Sequence, residues 1–154
     1  MSEKDKIHVL ARAVIIDRDH ILLCQTQDLP ISFYFLPGGH VEHGESAQDG
    51  LLRELIEEAG ATARIKRFLG CLEHSFEPAY SSICHNHEYN LMFEVESDDL
   101  KFGRDIPQIE AHIKLVWIPL NALAKIDLRA PSMKELVVKW LKSDIDEGFS
   151  SAMR

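Results

Sequence analysis

The sequence predicts an α/β fold in which a mixed β-sheet carries helices on its faces. Short runs rich in β-branched and aromatic residues, bounded by turn residues, lie in both halves of the chain. Two stretches switch to helical periodicity, Ser46 to Ala59 in the middle and Ser132 to Lys142 near the end. Strands on both sides of a central helix, with a further helix at the end, bury their apolar faces best when the helices cover a sheet.

The elements follow in order. Val9 to Ile16 is apolar and β-branched and reads as a strand, Asp17 to His20 as a tight turn, and Ile21 to Gln25 as the return strand of a hairpin. Gln27 to Phe35 reads as an irregular loop leading to a glycine-rich bend at Gly38 and Gly39. In the central helix Ala47, Leu51, Leu52, Leu55, Ile56 and Ala59 recur at helical spacing, Glu45 or Ser46 can cap the start, and Gly60 stands where a C-cap glycine belongs. Ala63 to His74 is expected as a long strand. Glu88 to Glu96 is expected as a half-buried one, with Tyr89, Leu91, Phe93 and Val95 on one face and Asn90, Met92, Glu94 and Glu96 on the other. Ile113 to Ile118 makes a short strand, Leu120 to Lys125 a short helix, and Met133, Leu136, Val137, Trp140 and Leu141 the buried stripe of the terminal helix.

Composition agrees with a globular protein that has a real core. The 154 residues, 45% hydrophobic and 27% charged, suit one domain over 1–154 with an ordered core at about 7–142. The first six residues and the segment from Asp144 to Arg154 read as frayed ends. No stretch is long enough to span a membrane and no apolar signal core is seen. Three cysteines, Cys24, Cys71 and Cys84, have no staple-like spacing, which points to a reducing, cytoplasmic setting. The net charge of −8 argues against a broad nucleic-acid-binding face. It is compatible with a small phosphate-bearing substrate reached through a divalent cation.

The central helix carries the chemistry. Glu54, Glu57 and Glu58 stand at i, i+3 and i+4 and share a face, with Leu51, Leu52, Leu55 and Ile56 toward the core. Three crowded carboxylates, relieved only in part by Arg53, repel one another and offer a hard cation several oxygen ligands. Taken alone, such a run is most often a solvated helix face. Its surroundings change that reading. Gly39, then five residues, Glu45, then seven residues, then Arg53-Glu54-Leu55-Ile56-Glu57-Glu58-Ala59-Gly60-Ala61 resembles the Nudix signature in every fixed letter. At about 7% usage per residue, seven fixed letters match by chance at a given start on the order of once in 10⁸. The one departure is Ala61, small where a bulky aliphatic residue is usual, which predicts a looser packing contact there.

The resemblance covers Gly39 to Ala61 in detail and roughly residues 7 to 142 in element order. It implies an α/β/α sandwich with a mixed sheet and a Mg²⁺- or Mn²⁺-dependent hydrolase. Glu54, Glu57 and Glu58 would hold the metal, and Glu54 would also take the proton from the attacking water. Glu45 and Arg53 would orient these glutamates, and Gly38 would offer its carbonyl to the metal; a plain turn explains Gly38 equally well. A further base or ligand often stands outside such a signature; Glu88 is favoured here, and Glu110 is the alternative. Phe33, Tyr34 and Phe35 could stack on a base or pack in the core. His40, His43 and His74 could touch substrate phosphates, though residues of this kind are more often simply exposed. Cys84, His85 and His87 match no standard zinc spacing.

The implied reaction cleaves the diphosphate linkage of a nucleoside diphosphate joined to another moiety. A nucleoside triphosphate giving the monophosphate and pyrophosphate comes first, and ADP-ribose or a nucleotide sugar second. Dinucleoside polyphosphates and capped RNA ends follow. A non-catalytic nucleotide sensor and a metal-dependent isomerase are the competing classes, and the sensor reading conflicts with the full set of glutamates. The partners implied are a small nucleotide-type substrate and, as the family often shows, a second copy in a homodimer.

Overall fold

The computed structural model describes residues 6–77, 85–142 and, as backbone only, 149–152. Among the described residues nine strands form two sheets. The first has the order β5 (Gly38–His40), β1 (His8–Val14), β7 (His87–Glu96), β6 (Arg64–Ser75), β9 (Phe149–Ala152). It is mixed: β1 runs parallel to β7 and β6 parallel to β9, while the β1–β5 and β6–β7 pairs are antiparallel. In the second sheet β3 (His20–Thr26) pairs along its whole length with β8 (Ile113–Pro119). Its other edge is shared by β2 (Ile16–Asp17) and β4 (Tyr34–Phe35).

Helix α1 (Ala47–Ala59) packs on β1 and β5, and α2 (Met133–Leu141) on β6 and the 3-10 helix Leu120–Lys125. Two buried clusters result. One joins Leu51, Leu55 and Ala59 of α1 to Ala11, Ala13, Leu22, Cys24, Phe93 and Val95. The other joins Met133, Val137 and Trp140 of α2 to Val14, Ile21, Leu23 and Met92. Alternate residues of β1, β3 and β7 thus feed opposite clusters, as a period of two requires. The architecture is the expected α/β/α sandwich. Among the described residues no helix is long and apolar enough to cross a membrane.

Four details depart from the sequence reading. The first hairpin is only a β2–β3 ribbon turning at Arg18 and Asp19, both at positive φ; β1 itself leaves for the other sheet, where it finds β7 and β5. The strand β7 is buried on both faces, since Asn90 and Met92 are as enclosed as Phe93 and Val95; a central strand between two helical layers has no solvent face. On α1, Ile56 is 55% exposed while Glu58 is buried. At 100° per residue Glu58 follows Leu51 and Leu55 at i+7 and i+3 and so falls on the inward stripe. Finally, Phe149–Ala152 forms a strand in the segment expected to fray. The small polar residues there carry no period-two signal, and their order comes from the open edge of β6. Cys84 lies outside the described residues.

Candidate active site

The site begins with how α1 is held. Ser46 caps its start, its Oγ accepting from the Asp49 N–H at 3.1 Å. Gly60 ends it in the left-handed region at φ 61°, and its N–H donates to Ile56 O at 2.9 Å. These caps set the rotation of the helix against β1 and β5, and hence where its glutamates point.

Arg53 is the hub. Its Nη2 and Nε donate to the two oxygens of Glu45 at 2.7 and 3.2 Å. Its Nη1 donates to Glu54 at 3.0 Å and to Glu57 at 3.2 Å, and Nη2 also reaches the carbonyl of His40 at 3.1 Å. One planar guanidinium therefore fixes three carboxylates and the backbone of β5, a geometry that lysine could not reproduce. The hydrogen bonds from Arg53 hold the Glu45 carboxyl below the usual carboxylate range. Those same bonds, Glu45's above all, raise the Arg53 pKa further. Glu45 also accepts the Glu42 N–H at 2.8 Å, which closes the loop ahead of the helix.

Glu58 is anchored separately. Its Oε2 accepts the Gly38 N–H at 3.2 Å and lies 3.9 Å from the Cys24 thiol. Burial pushes its pKa up to about 8, with Glu54 and Glu110 adding to the rise and Arg12 and the Gly38 N–H opposing it. Glu54 is shifted up too, chiefly by burial, with Arg53 pulling the other way. The two glycines of the bend make room. A Cβ on Gly38, at φ 132°, would lie 2.0 Å from Ala11 O, and one on Gly39 would lie 2.6 to 2.8 Å from the Glu54 carboxylate. The bend can approach β1 at Gly38 and the helix at Gly39 this closely only because both residues lack side chains.

Glu54 and Glu57 thus share Arg53 while Glu58 turns inward to Gly38, and among the described residues the three carboxylates are not gathered within 4.8 Å of one another. Arg53 draws two of them, and Gly38 the third. Mg²⁺ retains several waters and takes one or two carboxylates together with substrate phosphates, so an open donor set of this kind fits it.

The other predicted residues fall as follows. Glu88 has both oxygens engaged: Oε2 with His85 Nε2 at 2.5 Å, and Oε1 accepting from Asn90 Nδ2 at 2.9 Å. Burial would raise its pKa, but His85, Arg12 and Asn90 together hold it at about 2. Glu110 stands on the approach to β8, paired with His112 at 3.2 Å, and its charge raises the pKa values of Glu54, Glu58 and Cys24. Tyr34 and Phe35 pack against the two cores, and Phe33 lies under the Arg129 guanidinium at 4.8 Å.

Sequence reasoning missed Arg12. It sits half-buried on β1, donates to Leu36 O at 3.1 Å and to Asn90 Oδ1 at 3.4 Å, and acts on both Glu58 and Glu88. Its signal was present: one cation interrupts the apolar run Val9 to Ile16, and such a charge must find partners.

A sequence model described as the NUDIX domain matches residues 6–140. The chain belongs to the Nudix hydrolase superfamily. An ADP-ribose pyrophosphatase of Methanocaldococcus jannaschii is 30% identical over 133 residues, covering 82% of this chain and 70% of the relative. An 8-oxo-dGTP diphosphatase of Proteus vulgaris is 30% identical over 81 residues, covering 49% of this chain and 70% of the relative. The solution structure of the E. coli ORF135 protein superposes with a TM-score of 0.68 at 21% identity, over 92% of this chain and 95% of that one. The NUDIX hydrolase from Nitrosomonas europaea superposes with a TM-score of 0.68 at 20% identity, over 88% of this chain and 89% of that one, which supports the Nudix fold; the whole signature lies on the loop and helix just described.

Proposed function

We propose that this protein is a divalent-metal-dependent pyrophosphohydrolase that cuts the diphosphate linkage of a nucleoside diphosphate joined to another moiety. The observation that carries the reading is the Arg53 hub, one guanidinium bonded to Glu45, Glu54 and Glu57 beside a separately anchored Glu58. Glu54, Glu57 and Glu58, with the Gly38 carbonyl, would hold Mg²⁺ or Mn²⁺. Such a cation, when bound, screens phosphate charge and acidifies a water. Glu54 takes the proton as the water oxygen bonds to phosphorus. The bridging P–O bond breaks and the bridging oxygen leaves with the other phosphate. Arg53 and Glu45 touch neither water nor phosphate; they hold the glutamates in place. Glu110, whose charge acts on Glu54 and Glu58, is the carboxylate outside the signature best placed to assist.

The similarity that extends over most of the chain supports ADP-ribose as substrate. The shorter Proteus similarity supports a nucleoside triphosphate, the reading placed first from the sequence. The test is turnover of ADP-ribose, nucleotide sugars, nucleoside triphosphates and dinucleoside polyphosphates with Mg²⁺ or Mn²⁺, alongside a Glu57→Gln/Glu58→Gln variant. Hydrolysis of one class, abolished in the variant and by chelator, is expected. Tight nucleotide binding without turnover of any of them would overturn the enzyme reading in favour of a sensor.

A further inference from the structure

Three histidines from distant parts of the chain meet at the β5–β1–β7 end of the first sheet. The register places them there: Leu10 of β1 lies opposite His40 of β5, and His8 opposite Glu88 of β7. His85 stands just before β7. The rings of His8 and His85 stack at 4.3 Å, and His40 meets them edge-on at 4.9 and 5.2 Å. One nitrogen from each lies within 4.8 Å of the other two, and among the described residues this is the one such trio of His, Cys, Asp or Glu groups.

Two further facts give the cluster a direction. His40 Nε2 and His85 Nδ1 are 3.5 Å apart. Two imidazole nitrogens on one tetrahedral Zn²⁺, each about 2.0–2.1 Å from it, are separated by roughly 3.3–3.4 Å. The other nitrogen of His85 is taken by Glu88 at 2.5 Å, and Glu88 is in turn held by Asn90. A proton on Nε2, shared with the carboxylate, leaves the Nδ1 lone pair directed at His40. A carboxylate that fixes the tautomer and aim of a histidine in this way is the usual outer support of a metal-ligating imidazole. His40 Nε2 and His85 Nδ1 are within hydrogen-bond reach of one another, so either one proton or one cation can bridge them, and the three rings repel when all are protonated.

We propose that His8, His40 and His85 form a second metal site, for a borderline transition-metal cation of the Zn²⁺ class. Glu88 is its positioning residue, and a fourth coordination position is open to water. His8, partly exposed at the start of β1, completes the set by turning its ring. The ligands are nitrogen only, so the site differs in chemistry from the oxygen cluster on α1 and selects against Mg²⁺. An ion here would tie together the start of β1, the strand β5 and the segment entering β7. It would also stiffen His40, whose carbonyl receives Arg53.

The test uses the full chain without a histidine tag, stripped of metal and titrated with Zn²⁺ in excess Mg²⁺. Calorimetry is the main readout, with Co²⁺ absorption in the visible as a second one. The proposal expects one equivalent of Zn²⁺, a rise in Tm on binding, and the intense Co²⁺ bands of a low-coordinate site. Binding should persist in Glu57→Gln/Glu58→Gln. It should be lost in His40→Ala, an exposed position whose truncation leaves the core untouched, and in His8→Ala. In Glu88→Gln it should weaken by roughly tenfold to a hundredfold. Absence of stoichiometric binding, or binding unchanged in both histidine variants, would overturn the proposal. None of these readouts depends on hydrolysis, so the outcome is independent of the proposed activity.

Discussion

The carboxylate of Glu58 accepts the backbone N–H of Gly38 at 3.2 Å inside the protein, so the helix and the glycine bend are joined through a buried acid. That acid has a folded pKa of about 8, against an ordinary value of 4.5. The folded state therefore binds the proton more tightly than the unfolded chain. Stability from this group is complete below pH 4.5 and is lost as pH rises through 8. In chelator, Tm relative to Glu58→Gln should fall across that window by roughly 10 °C, the equivalent of a few kcal/mol for a chain this size, a difference that cancels the opposite contribution of His40, whose pKa burial lowers to about 4. Glu58→Gln keeps a neutral acceptor for Gly38 and should flatten this slope. A wild-type slope no steeper than that of Glu58→Gln between pH 5 and 8 would refute the assignment.

Arg53 should matter through position rather than charge. Arg53→Ala frees Glu45, Glu54 and Glu57 together. A misplacement of about 1 Å at a reacting group can cost on the order of 10²-fold in kcat, and a loss of that size is expected with KM little changed. Because Arg53 and Glu45 remain only partly buried, stability should move far less than activity. Arg53→Lys should recover little, since one ammonium cannot span three carboxylates and a carbonyl. Steady-state kinetics of the two variants decides this, and full activity in the lysine variant would rule out the positioning role.

The two glycines of the bend should separate stability from activity. An alanine at Gly38 meets the Ala11 backbone oxygen at 2.0 Å from a φ of 132°. Backbone cannot give way cheaply, so a loss of at least ~2 kcal/mol in denaturant melts is expected. An alanine at Gly39 meets only the movable Glu54 carboxylate. Gly39→Ala should melt near wild type yet lose most activity as Glu54 is displaced. Equal effects of both substitutions on melting would contradict this division.

Glu110 and Glu88 should differ in the same way. Both oxygens of Glu88 are committed to His85 and Asn90, whereas the Glu110 charge acts on the α1 glutamates. Glu110→Gln is expected to lower kcat by on the order of 10²-fold or more, in the range of a lost proton-transfer group. Glu88→Gln should cost less in kcat. Comparing the two at one pH settles the order, and a larger kcat loss at Glu88 would return the role to the residue favoured from the sequence.

Much of the site was legible in the chain because it is local. Ser46, Gly60 and the spacing of Arg53, Glu54, Glu57 and Glu58 all lie within one helix and its caps, where 3.6 residues per turn converts sequence distance into spatial distance. The α/β class was legible for the same reason, since each strand and helix writes its own period. What the tertiary structure alone decided is non-local. It chose β7 and β5 as the partners of β1 and gave β9 an edge to join. It brought the charge of Arg12 to bear on both Glu58 and Glu88, and gathered His8, His40 and His85 from positions up to 77 residues apart. Strand pairing and sheet order set these meetings, and neither leaves a periodic trace in any one segment.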